Sequence, residues 1–276
     1  MLSPSPLALA AFLSLFAALG ASLVERAHAP AMLIGIVSLI LAGLAGVLDP
    51  MALALTLPAF GLAWLARRPA TTTAQRTLLL TACGVWALAA ALHLLPGFSP
   101  HLWSEGFGRS GTLPLRWHYD KGLAGLLLLL ALPRQGKPDR LRFALLLPAG
   151  LALPILALLG GLADLDPRWQ SGTLVWLAGN LFLTVFAEEA FFRGLIQGGL
   201  REGLASRLPF PLIVVLVAVL FALVHLPWGP AFAAMAFVAG LLYGFMAGAR
   251  QALSAAIAVH FLTNAGFLLL TRSPLG

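Results

Sequence analysis

Ten apolar runs, eight to ten of them able to cross a bilayer, leave this chain few ways to fold. About 20 apolar residues span the hydrocarbon core, where every backbone polar group must be bonded within its own segment. The runs fall at about 6–24, 31–48, 51–66, 77–95, 121–133, 143–163, 173–199, 209–226, 230–248 and 252–270. Composition agrees. The chain is 60% hydrophobic and 10% charged, with a mean hydropathy of +0.95, whereas soluble domains are roughly a quarter charged. The expectation is an all-α, polytopic transmembrane helical bundle with about 8–10 membrane segments. Met1 to Leu23 lacks a basic leader and a small-residue cleavage site, so it reads as a first spanning helix.

The net charge of +7 sits in short loops. If all ten runs span, Arg26, Arg67, Arg68, Arg76, Arg134, Lys137, Arg140, Arg142, Arg201, Arg207 and Arg250 share one side. Arg109, Arg116, Lys121, Arg168 and Arg272 take the other, with Asp164 and Asp166. Orientation in a membrane explains this bias, and nucleic acid is not implied. The one cysteine, Cys83, excludes an intrachain disulfide. Asp49-Pro50 predicts a tight turn between two helices. The longest polar stretch, 96–120, reads as an interfacial loop carrying Trp103, Phe107, Trp117 and Tyr119, with His101 and His118 at the interface. The adjacent Asp120 and Lys121 read as a solvated edge. Residues 1–140 form an N-terminal transmembrane region without a legible role, and 141–276 form the motif-bearing core.

That core holds three polar intrusions. Glu188 and Glu189 interrupt one apolar run, and His225 and His260 interrupt two others. Ionisable groups at membrane depth cost roughly 2.5–3.5 kcal/mol each on insertion scales, so they are kept for pairing or function. Helical spacing puts Glu189 and Arg193 on one face as a structural ion pair and turns Glu188 about 100° away, free to face a cavity. Phe221 and His225 share a face, as do His260 and Asn264. One carboxylate, two imidazoles and one amide suffice to activate a water and hold a tetrahedral oxyanion. No serine or cysteine stands in a matching position.

Glu188-Glu189-x-x-x-Arg193, Phe221-x-x-x-His225 and His260-x-x-x-Asn264 resemble the three signatures of the CPBP (ABI) intramembrane proteases. These are the CAAX proteases and bacteriocin-processing enzymes, which include the type II CAAX prenyl endopeptidases. The resemblance extends to Phe191-Phe192-Arg193-Gly194 and to Gly240-Leu241-Leu242-Tyr243-Gly244, and covers roughly 170–270. It implies an intramembrane endopeptidase in which Glu188 and His225 activate water while His260 and Asn264 hold the oxyanion. Glu189, Arg193 and Phe221 support them. No cofactor is required on this reading. The alternative is a divalent metal such as zinc on Glu188, His225 and His260, the residue types of a catalytic zinc site. The implied partners are the lipid bilayer and a membrane-associated protein or peptide, and the implied location is a bacterial inner (plasma) membrane. Substrate identity and oligomeric state are not legible.

Two other classes compete: a transporter with a Glu/His relay, and a silent membrane scaffold or immunity protein. Further expectations concern packing. Gly240, Gly244 and Gly248 should line one helix face against a catalytic helix, and Trp176 and Trp228 should anchor at interfaces. For Glu188 and His225 to meet at one depth, the first of their helices should end near Leu200 and the second start near Gly203.

Overall fold

The computed structural model describes residues 5–24, 27–108, 111, 113–133, 136–204, 206–249 and 252–272. Arg26, Arg109, Arg134 and Arg250 lie outside the described residues. Among the described residues ten helices form, one for each apolar run, and the sheets are small. Six helices among the described residues are long and apolar enough to cross a membrane, and three more apolar helices are 17 residues each. The protein is an all-α polytopic bundle. It packs as two compact units, the described parts of Met1–Arg134 with Ser171–Phe191, and of Gln135–Gln170 with Phe192–Gly276.

The first unit holds α1 (Pro6–Ser22), α2 (His28–Leu44), α3 (Pro50–Ala66), α4 (Thr73–Ala91) and α5 (Tyr119–Ala131). It also holds the first part of α7 (Thr173–Leu204). Side chains set the helix starts. Ser5 caps α1, Asp49 accepts from Ala52 N–H at 2.9 Å beside Pro50, and Thr72 with Gln75 forms a capping box on α4. The turn expected at Asp49-Pro50 is therefore present. Every residue of α5 except Lys121 is buried. A helix of 13 residues, about 20 Å long and apolar on every face beyond its first turn, belongs in a protein core. It packs against α1, α3, α4 and α7.

Residues 101–107 and 113–117 are not the loop expected from their polarity. They form an antiparallel hairpin, β1 (His101–Phe107) with β2 (Leu113–Trp117). Trp103, Phe107, Leu115 and Trp117 are buried. Phe12 and Phe16 of α1 meet the Trp117 ring edge-on at 5.1 and 5.0 Å. These aromatics fill a core, and His101 is half-buried beside Phe12.

The second unit contains α6 (Arg140–Leu159), the rest of α7, α8 (Phe210–His225), α9 (Pro230–Ala247) and α10 (Leu253–Leu270). A short ladder pairs β3 (Asp164–Leu165) with β4 (Thr271–Arg272). α6 packs on α10, where Thr263 Oγ1 donates to Gly150 O at 2.9 Å. α8 and α9 make a close hairpin. A Cβ on Gly240 would stand 3.0 Å from Ala218 Cα, and one on Gly244 would stand 2.7 Å from Val214 Cγ1. These two glycines therefore do pack against the helix that carries His225. Gly248 does not: it lies just past the helix at φ 67° beside the Arg142 guanidinium.

Of the two expected shifts in helix ends, the early start of the second helix is absent. α7 runs on to Leu204 and α8 begins at Phe210, not near Gly203. The apolar limit at 199 missed the end of α7 because its last turn is polar, with Arg201 and Glu202. The extension puts Glu188 at the midpoint of this 32-residue helix. At 1.5 Å per residue α7 would exceed the roughly 30 Å hydrocarbon core, so it tilts or projects beyond it.

Candidate functional site

Four residues of ordinary α-helix, Phe186–Glu189, carry the two glutamates between π-helical stretches at Asn180–Val185 and Ala190–Gln197. Bonding from i to i+5 widens those turns, a feature enriched at functional sites. The 100° per residue used to sort the glutamates thus holds only as far as Glu189.

In the first unit α5 comes close to α7 at the glutamates. A Cβ on Gly125 would lie 3.1 Å from Ala187 N and 3.2 Å from Ala187 Cα. One turn earlier on the same face, Lys121 Nζ stands 3.4 Å from Glu188 Oε1, with both side chains about one-fifth exposed. Two expectations are corrected here. Glu188 is not free to face a cavity alone, and Asp120-Lys121 is not a solvated edge. Asp120 is 3% exposed and its Oδ2 meets His93 Nδ1 at 2.8 Å. Sequence pattern could not pair Lys121 with Glu188, because the pairing depends on a glycine contact between distant helices. Glu189 is fully buried in this unit.

In the second unit the second and third motifs come together around Phe221. Its ring lies 4.4 Å from the His225 ring and 6.0 Å, edge-on, from His260. His260 is buried and stacks flat on Tyr243 at 4.3 Å and 17°. Arg193, 1% exposed, donates from Nη2 to Gly240 O at 3.1 Å, and its guanidinium lies 4.7 Å over Phe221 and 5.3 Å over Tyr243. A planar cation stacked on aromatic faces gains electrostatic attraction that is stronger away from water. Tyr243 was visible in the sequence only as part of a glycine-bearing helix, and its ring role was missed. Asn264 is half-buried on α10, one turn beyond His260.

The His225 tautomer follows from a hydrogen bond. Nδ1 lies 2.7 Å from Phe221 O. A carbonyl can only accept, so Nδ1 carries the proton, and in the neutral ring Nε2 keeps its lone pair. Such a ring can take a proton from water or ligate a metal.

Six long apolar helices and the embedded motifs define an integral, multi-pass membrane protein. Residues 170–266, about a third of the 276-residue chain, match the Rce1-like family, described as type II CAAX prenyl endopeptidase Rce1-like. That match bears out the resemblance carried by the three motifs, is consistent with a CPBP-family intramembrane protease, and supports a CAAX-type protease. No curated protein and no solved structure matches the chain.

Proposed function

We propose that the protein is an intramembrane endopeptidase that hydrolyses a peptide bond of a membrane-associated substrate, without a covalent acyl-enzyme. The family match over 170–266 carries the reading, because it spans all three motifs. Glu188 takes a proton from a water, assisted by the His225 Nε2 lone pair. The water oxygen attacks the scissile carbonyl carbon, and His260 and Asn264 donate to the resulting oxyanion. The proton then passes to the departing amine. Glu189, Arg193 and Phe221 hold these groups in place. Arg193 supports this role through its stacking on Phe221, which in turn touches His225 and His260.

The donor types also fit a divalent ion. His225 has the backbone-carbonyl partner on Nδ1 that metal-bound histidines commonly use. Glu188, His225 and His260 are the residues that would hold zinc, which would supply a polarised water. The proton transfers assigned above do not need it. The bilayer is a bacterial inner membrane on this reading, and the substrate class is a chain with a C-terminal CAAX motif.

Reconstitute the full chain in liposomes with a prenylated CAAX peptide and its unprenylated counterpart. Release of the C-terminal tripeptide by the wild type, abolished in Glu188→Gln, is the expected result. Cleavage that survives Glu188→Gln overturns the mechanism. An intact peptide with the wild type would favour the scaffold class instead.

A further inference from the structure

His93, His118 and Asp120 come together in the first unit, in a region without an assigned role. One ligand atom from each lies within 4.8 Å of the others. We propose that these residues form a zinc site distinct from the proteolytic motifs, one that ties the end of α4 to the start of α5.

The three residues come from two places in the chain. His93 lies two residues past the end of α4, His118 occupies the position just before α5 with no side-chain bond to the helix, and Asp120 is in the first turn of α5. His93 is the only described non-glycine residue with positive φ, at 57°. That conformation costs an L-residue about 1 kcal/mol or more, and here it directs the imidazole to Asp120. His93 Nδ1 and Asp120 Oδ2 are 2.8 Å apart. The His93 and His118 rings are 4.1 Å apart, centroid to centroid, and inclined at 36°.

Donor chemistry selects the ion. Two imidazole nitrogens and one carboxylate oxygen suit zinc, at about 2.0–2.2 Å per bond, better than magnesium or calcium, which favour oxygen-only shells. Tetrahedral bonds of that length set ligand atoms about 3.4 Å apart. The 2.8 Å His93–Asp120 contact would open slightly to admit the ion. The other Asp120 oxygen accepts from Lys121 N–H at 2.9 Å, which fixes the carboxylate plane as an outer-shell bond does. Lys121, next to Asp120 in the sequence, has its ammonium turned to Glu188. His93 is 42% exposed, which leaves an entry path and room for a water as fourth ligand.

The test uses the full chain in detergent micelles, stripped with chelator and dialysed against micromolar zinc. We expect His118→Gln and Asp120→Asn to bind one zinc fewer per chain than the wild type, and the same loss of one zinc when His118→Gln is added to Glu188→Gln. The last arm separates this site from any metal at the proteolytic motifs. Zinc should also raise the melting temperature of the wild type, and this rise should vanish in His118→Gln. X-ray absorption of the zinc-loaded wild type should show two imidazoles and oxygen, a readout that needs no variant to fold. Equal zinc content in wild type and His118→Gln overturns the proposal. So does a wild type that binds no zinc after stripping, or a spectrum without imidazole.

Discussion

Lys121 Nζ stands 3.4 Å from Glu188 Oε1, and the approach of α5 to α7 at Gly125 makes this possible. The buried α5 thus delivers a cation to the first motif from outside the family-matched segment. An ion pair this shielded gains more than an exposed one, whose contribution is about 0–1 kcal/mol. If Glu188 acts as a carboxylate, Lys121→Met should lower kcat about tenfold, near 1.4 kcal/mol. Lys121→Arg should keep most of the activity. Turnover of the reconstituted enzyme checks this, and equal rates for Lys121→Met and wild type would remove Lys121 from the site.

Arg193 is among the largest fully buried side chains of the described residues. Truncation to Ala removes its bond to Gly240 O and its stacking on Phe221 and Tyr243, and leaves a cavity. A loss of roughly 3 kcal/mol is expected, in the range of buried-network breakage. Arg193→Lys should recover only part, since an ammonium cannot stack as a planar fork does. Thermal unfolding in detergent measures both variants.

The helices were legible because bilayer thickness fixes the length of an apolar run, and each of the ten runs became a helix. The spacing Phe221-x-x-x-His225 also implied the ring contact that is found. The hairpin was not legible. Its buried Trp103, Phe107, Leu115 and Trp117 alternate, but shifts in register between Leu102 and Ser104 and between Ser104 and Phe107 break the period of two. The π turns around Glu188 leave no local signal, since any apolar helical segment can adopt them. Lys121 looked like an edge residue because its partner is 67 positions away.

Gly244 lets α8 and α9 pack closely. A methyl group there would meet Val214 Cγ1 at 2.7 Å and Gln197 Oε1 at 3.0 Å. Overpacking of this kind costs about 1–3 kcal/mol. Gly244→Ala should destabilise the protein by that amount, and adding Val214→Ala should restore part of it. A double-mutant cycle by thermal unfolding measures the coupling. Strictly additive effects would show that the helices yield without strain.

His101 should make the first unit sensitive to acid. Burial pushes its imidazole below the usual value of 6.5. Its Nε2 is enclosed without a hydrogen-bond partner among the described residues, and the rings of Phe12 and Trp103 lie 6.1 and 5.2 Å away. The charged form is disfavoured in the fold and not in the unfolded chain. Above pH 6.5 both states are neutral and the full stability is present. As pH falls below 6.5 the unfolded state binds the proton first, so stability declines until the folded pKa is reached. Unfolding of the wild type followed by tryptophan fluorescence should therefore show a falling midpoint below pH 6.5. His101→Phe keeps a flat ring without the titrating nitrogen and should flatten that part of the profile. A wild-type slope unchanged in His101→Phe would assign the acid sensitivity to other groups.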